Sequence, residues 1–193
     1  SIEQFSLTLS NYQQLGNFRC SGYFISRAIN DSNDTNDTRF TIHTNHLDSL
    51  IDFLGHKNTK NITINGNARH WVGEKMENGK ITINGNAGIY LGRLMNSGII
   101  TINGNSGDYV GTSMKNGGIN IKGNAGNYVG YSMKDGSITI DGNAESWVGC
   151  EMKKGNITVN GNVGNRIGSW MEGGDIYLNG DYKSLSNIIN GGN

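Results

Sequence analysis

Residues 81–99 read I-T-I-N-G-N-A-G-I-Y-L-G-R-L-M-N-S-G-I, and residues 100–118 read I-T-I-N-G-N-S-G-D-Y-V-G-T-S-M-K-N-G-G. The second stretch is the first written again nineteen positions on. The same unit holds outward from Asn61 to Asp181 with no insertion or deletion. Its Gly-Asn step falls at Gly66, Gly85, Gly104, Gly123, Gly142 and Gly161 and returns in altered form as Gly180-Asp181. A second glycine follows seven residues later, from Gly73 to Gly168. Three residues beyond stands a methionine, at Met76, Met95, Met114, Met133, Met152 and Met171, and these are all six in the chain. A unit this short cannot bury an apolar face by itself, so successive units must stack around one shared core.

Apolar residues alternate within the unit, as in Ile62-Thr63-Ile64-Asn65 and Ile138-Thr139-Ile140-Asp141, which is the period of a strand. Isoleucine points inward; threonine and asparagine point out. Glycine and asparagine directly after the strand tolerate left-handed backbone, so the coil is expected to turn there. A second short strand carries the small residue and the Val-Gly pair (Ala87, Leu91; Ala125, Val129), and a third corner follows the methionine at Gly79, Gly98, Gly117, Gly136, Gly155 and Gly174. The expected fold is all-β: a single-stranded parallel β-helix of about seven 19-residue coils, right-handed as parallel crossovers are. Coils ~4.8 Å apart give a rod roughly 30 Å long. Asn67, Asn86, Asn105, Asn124, Asn143 and Asn162 should form a ladder along one corner, satisfying backbone groups rather than holding a ligand.

The organisation read from the sequence is an N-terminal cap over 1–60, the β-helix over 61–182 and a C-terminal cap over 183–193. In the first part, Phe5–Leu9, Tyr23–Ile25 and Phe40–Ile42 read as strands. Leu47–Leu54 reads as a helix with Asn45 as its cap and Gly55 as its stop. Such a cap keeps the strand edge of a terminal coil from pairing with another molecule.

Composition narrows the function classes. The chain has 193 residues, is 35% hydrophobic, and contains thirty glycines and no proline, which suits laddered strands because proline cannot donate to a ladder. Sixteen basic against sixteen acidic residues give a net charge of zero, against a nucleic-acid binder. No apolar run approaches the ~20 residues of a membrane span and no leader opens the chain, so a cytoplasmic location is expected. Cys20 and Cys150 are isolated and read as reduced thiols. His43 and His46 could by spacing share a metal, but no further ligand accompanies them, and no metal or other cofactor is expected.

The units from Gly85, Gly104 and Gly123 (G-N-A-G-I-Y-L-G-R-L-M, G-N-S-G-D-Y-V-G-T-S-M and G-N-A-G-N-Y-V-G-Y-S-M) resemble the GXGXG-motif family. Its members include the C-terminal domain of the glutamate synthase large subunit and the β-helical subunit of formylmethanofuran dehydrogenase. The resemblance covers about residues 61–182, and the ending I-Y-L-N-G-D-Y-K-S-L from Ile176 to Leu185 is more similar to the formylmethanofuran dehydrogenase member. The chain departs from the pattern at Arg69 and Glu145, which replace a turn glycine, and at Arg166, which replaces the aromatic. The resemblance implies a noncatalytic scaffold that binds protein partners within an oxidoreductase assembly, or a free-standing GXGXG protein with its own partner or small ligand.

No general acid-base pair or activated nucleophile is legible in the repeat, whose acidic residues are scattered over different columns. No catalytic residue is assigned. The aromatic column Trp71, Tyr90, Tyr109, Tyr128 and Trp147 is the candidate interaction surface, since exposed aromatics carry much of the energy of interfaces. The competing reading is that these rings stack on one another along one edge of the rod. The Thr63, Thr82, Thr101, Thr139 and Thr158 column, broken by Asn120, also suggests a flat ice-binding face, for which the missing leader is an argument against.

Overall fold

A computed structural model describes residues 5–7, 18–31, 39–45 and 51–185. Among the described residues, nine strands and one helix follow in order: β1 (Phe5–Leu7), α1 (Phe18–Asn30), β2 (Arg39–His43), β3 (Asn61–Asn65), β4 (Lys80–Ile83), β5 (Ile99–Ile102), β6 (Gly118–Ile121), β7 (Ser137–Ile140), β8 (Asn156–Val159) and β9 (Asp175–Leu178). The strands form one sheet in sequence order, every pair parallel. The chain is therefore a parallel β-solenoid whose regular coils contain nineteen residues. Ile62 pairs with Ile81, Ile81 with Ile100, and so on to Ile157 with Ile176.

Each coil sends five residues inward. In the coil of β4 these are Ile81, Ile83, Ala87, Leu91 and Met95, all buried, and the same columns repeat through the cluster that forms the core. The expected second strand is reduced to isolated paired residues, as in Ala125 with Ala144 and Ala144 with Val163, with Ile167 pairing to Leu185 as well in the coil of β8. The backbone there still bonds coil to coil, Gly107 N–H to the Ala87 carbonyl at 3.2 Å and Gly111 N–H to that of Leu91 at 2.8 Å, but the left-handed Tyr109 between them interrupts a regular strand.

The Gly-Asn corner turns for a different reason than the one expected. Among these glycines only Gly66 has positive φ. At the others close approach is decisive: a Cβ on Gly104 would lie 2.7 Å from the Gly85 carbonyl oxygen and 2.4 Å from Asn86 Oδ1. The left-handed positions lie elsewhere, at the aromatic column and the residue four beyond it, and at the Val-Gly and third-corner glycines. The third-corner glycines also face the methionines: a Cβ on Gly117 would stand 2.8 Å from Met95 Cε and 2.6 Å from the Gly98 oxygen.

The asparagine ladder expected at Asn67–Asn162 is present. Each Oδ1 accepts the N–H of the equivalent residue one coil on, at 2.7–2.9 Å, ending with Asp181. A second ladder runs beside it, in which Asn84 Nδ2 donates to Asn65 Oδ1 and Asn103 Nδ2 to Asn84 Oδ1, each at 2.7 Å. The ion pair Lys122–Asp141 continues this row at 2.8 Å.

Before Asn61 the expectation holds in part: the Phe5–Leu9 strand is present as β1 over Phe5–Leu7, residues 8 and 9 lying outside the described residues, and the Phe40–Ile42 strand lies within β2. The strands β1 and β2 continue the solenoid sheet, and the helix is α1. The Tyr23–Ile25 segment, read as a strand, lies inside it. Of the Leu47–Leu54 helix, residues 47–50 lie outside the described residues and 51–54 are not helical: the chain bends at Asp52 and Phe53 and enters a turn at Leu54. Gly22, Ile25, Ser26 and Ile29 are buried at helical spacing. A polar residue and a glycine inside that stripe hid it from the sequence pattern. Ser26 Oγ accepts the N–H of Gly55 at 2.8 Å, and Asn30 Nδ2 donates to the Lys57 carbonyl at 3.1 Å, tying α1 to the coil beneath.

Candidate functional site

The five aromatics of the candidate surface stand in one column because the nineteen-residue register places their backbones one above another. All five have positive φ, from 57° at Trp71 to 67° at Trp147. For a non-glycine residue that conformation costs about 1–2 kcal/mol. It is held by a bond to the next coil: Tyr109 N–H donates to the Asn127 carbonyl at 2.8 Å and Tyr128 N–H to that of Ser146 at 3.0 Å. Left-handed backbone throws each ring outward, where it lies flat on its neighbours.

The rings form a continuous rail. Centroid separations are 6.0 Å for Trp71–Tyr90, 4.8 Å for Tyr90–Tyr109, 4.8 Å for Tyr109–Tyr128 and 5.5 Å for Tyr128–Trp147, with planes within 15°. Three rings outside the sequence reading extend it. Phe53 stacks on Trp71 at 4.8 Å, Tyr23 of α1 on Phe53 at 4.2 Å, and Trp170 on Trp147 at 5.9 Å. Where Arg166 interrupts the column, its guanidinium sits 4.6 Å over Trp147. Trp170, four residues on, supplies the next ring from a different column. Phe53 had a sequence signal, standing two residues before Gly55 as Trp71 stands before Gly73. Trp170 had none.

This packing limits what the surface can bind. Each inner ring is covered on both faces, so a flat ligand finds a free face only at the ends, and the half-exposed edges are what the rail offers along its length. Burial between neighbouring tyrosines and Asp108 raises the Tyr109 phenol above its ordinary value. Beside the rail, Tyr131 donates to Glu151 Oε1 at 3.1 Å, and Ser132 donates to the other carboxylate oxygen at 2.6 Å. The hydrogen bond to Glu151, with burial, raises the Tyr131 phenol as well.

A second polar cluster closes the N-terminal end of the rail. Glu74, 4% exposed, lies 2.6 Å from Arg93 Nη1 and 3.4 Å from the Tyr23 hydroxyl. His56 Nδ1 is 3.3 Å from Glu74 at an angle that makes no hydrogen bond. Burial lowers the His56 pKa against the opposing pull of Glu74. Asp52, 2% exposed, accepts the N–H of His70 at 3.0 Å and faces Arg69 at 3.6 Å. His70 Nδ1 in turn accepts the N–H of Ile89 at 3.0 Å, and burial lowers its pKa. These groups fasten α1 and the first coils together.

Of the other residues singled out in the sequence, His46 and the side chain of Cys20 lie outside the described residues. The Cys150 thiol is buried and its pKa pushed up to about 11. Among the described residues no three histidine, cysteine or acidic side chains converge as metal ligands, and no helix is long and apolar enough to cross a membrane. The threonine row runs in register along the sheet's outer face and is broken by Asn120. There Gly118 opens a shallow groove of about 540 Å³ beside Ile99 and Ser137. No protein-family model and no curated protein matches the chain.

Proposed function

We propose that this chain is a noncatalytic structural subunit that holds protein partners in an oxidoreductase-type assembly, similar to the β-helical subunit of formylmethanofuran dehydrogenase. The observation that carries the reading is the use made of the repeated polar and aromatic columns. The asparagines bond the next coil and the ring faces cover each other, so the recurrent chemistry stiffens a rod and leaves regular edges outward. A rigid body with half-exposed aromatic edges loses little conformational entropy on docking, and aromatics are enriched where interfaces draw their energy. The edges of Tyr90, Tyr109 and Tyr128 are the docking surface on this reading.

Purification of the tagged chain from its native cells at low salt tests it. The expected result is stoichiometric co-elution with subunits that carry redox cofactors. Elution alone, or with partners that carry none, would overturn the assignment and leave the free-standing GXGXG protein as the better description.

A further inference from the structure

We propose that the aromatic rail between Trp71 and Trp170 relays single oxidising equivalents, and that the relay ends at Tyr131, whose phenol is paired with the Glu151 carboxylate. Tryptophan and tyrosine are the most readily oxidised ring side chains, and electron transfer between rings falls off exponentially with the gap between them. Here six such rings follow one another with centroids 4.8–6.0 Å apart. Phenylalanine is far harder to oxidise, so Phe53 closes the rail at one end. Trp170, 47% exposed, opens it at the other.

A hole moving along the rail comes to rest where a phenol can release its proton to a base. Among the described residues no hydrogen bond joins Tyr90, Tyr109 or Tyr128 to a carboxylate through the phenol. Tyr131 differs. Its ring stands edge-on to Tyr128 at 6.0 Å and to Tyr109 at 6.4 Å, and its hydroxyl donates to Glu151 Oε1 at 3.1 Å. Ser132 holds the other carboxylate oxygen at 2.6 Å, fixing the acceptor. The same hydrogen bond keeps the resting phenol protonated.

The step balances with a one-electron oxidant of the metal-polypyridyl class. Such an oxidant takes one electron from Trp147 and is itself reduced. Tyr128 then gives an electron to Trp147, and Tyr131 gives one to Tyr128 while its hydroxyl proton moves to Glu151. The products are the reduced oxidant, a neutral tyrosyl radical and a neutral glutamic acid. The relay belongs to the isolated chain and does not rest on the scaffold reading, so either can fail without the other.

The test places the oxidant at a known point. Arg166, exposed and seated over Trp147, is replaced by cysteine in a Cys20→Ser background and labelled with a ruthenium polypyridyl complex; Cys150, buried, keeps its unreactive thiol. After flash oxidation with an exogenous quencher and freeze-trapping, electron paramagnetic resonance should show a hydrogen-bonded tyrosyl radical. Tyr131→Phe should abolish that signal, and Glu151→Gln should lower its yield by removing the proton acceptor. Tyr128→Phe keeps the stacked ring but raises its oxidation potential, and should lower the Tyr131 radical yield several-fold. A signal that persists unchanged in Tyr131→Phe, or is undiminished in Tyr128→Phe, overturns the relay.

Discussion

The coils from Asn61 onward and the coil before them reach the same shape by opposite means. In the regular coils a buried methionine fills the position before the third corner, and identical neighbours supply every ladder. The preceding coil holds Asn58 there instead, fully buried, its Nδ2 donating to the Lys60 carbonyl at 2.6 Å and its Oδ1 accepting the Lys60 N–H at 3.2 Å. The equivalence is geometric, since Phe53 N–H bonds the His70 carbonyl as Trp71 N–H bonds that of Ile89. Repetition stabilises a coil through ladders shared with both neighbours. A coil with an irregular neighbour must satisfy its groups one by one, here with Asn58, Ser26, Thr44 and Asp52, all buried polar residues bonded to backbone.

The sharpest way to break this comparison is a charge in the middle of the regular stack. Val129 is fully buried between the Val110 and Val148 levels, so Val129→Asp leaves an unpaired carboxylate in apolar layers. We expect a loss of several kcal/mol, against little change for the outward Thr101→Asp. Denaturant titration giving equal midpoints for the two would refute the inside-outside assignment.

Exchanging the two solutions comes next. Met114→Asn puts an amide into the apolar column with no corner shaped to bond it, and should cost about 3 kcal/mol from lost packing and an unsatisfied polar group. Asn58→Met removes both bonds of the buried amide to the Lys60 backbone and puts a longer apolar chain in its place, and should cost about 1–3 kcal/mol. If either exchange were neutral by thermal and denaturant melting, the two coils would not be distinct solutions.

Adjacent glycines in one corner give a smaller contrast. Gly117 has φ of 97° and would drive a Cβ against the Gly98 oxygen, whereas at Gly118 a Cβ meets only Ser137 Oγ at 3.5 Å. Gly117→Ala should cost about 1–3 kcal/mol. Gly118→Ala should be neutral or slightly stabilising, and should narrow the groove it opens.

The weakest expected effect is acid sensitivity confined to the irregular end. All four histidines precede residue 71. His56 and His70 are both held below their ordinary value of 6.5 by burial, so their neutral forms favour folding. That contribution is complete above about pH 6.5 and is lost as pH falls through the lower folded values. Amide exchange between pH 7 and pH 5 should quicken around Ile89 and Gly55 while β6 to β8 hold their protection. Uniform acceleration along the rod would remove the distinction.

Much of this was legible in the residues. The nineteen-residue register placed the strand isoleucines and Val129 in the core, and set the six methionines, the five aromatics and the asparagine ladder each in one column; that the methionine column is buried came from the structure. It also made the absence of proline intelligible. Periodicity could not reach the first sixty residues, because a single irregular coil has no second copy to average over. Gly22 and Ser26 broke the apolar stripe of α1, and eleven positions separate Ile42 from Phe53 where seven separate Ile64 from Trp71.

The rail divides in the same way. A column of aromatics at constant spacing is a property of the sequence, since equal offsets in a solenoid force equal positions. Whether those rings present their faces or their edges depends on backbone angle, and the positive φ at Trp71 through Trp147 was assigned from the sequence to the Gly-Asn corner instead. The recruitment of Trp170 and Tyr23 to the ends of the stack, and the meeting of Tyr131 with Glu151 beside it, join residues on different columns, coils or elements. One-dimensional periodicity carries no information about contacts between columns; those follow from how the chain closes each turn in three dimensions.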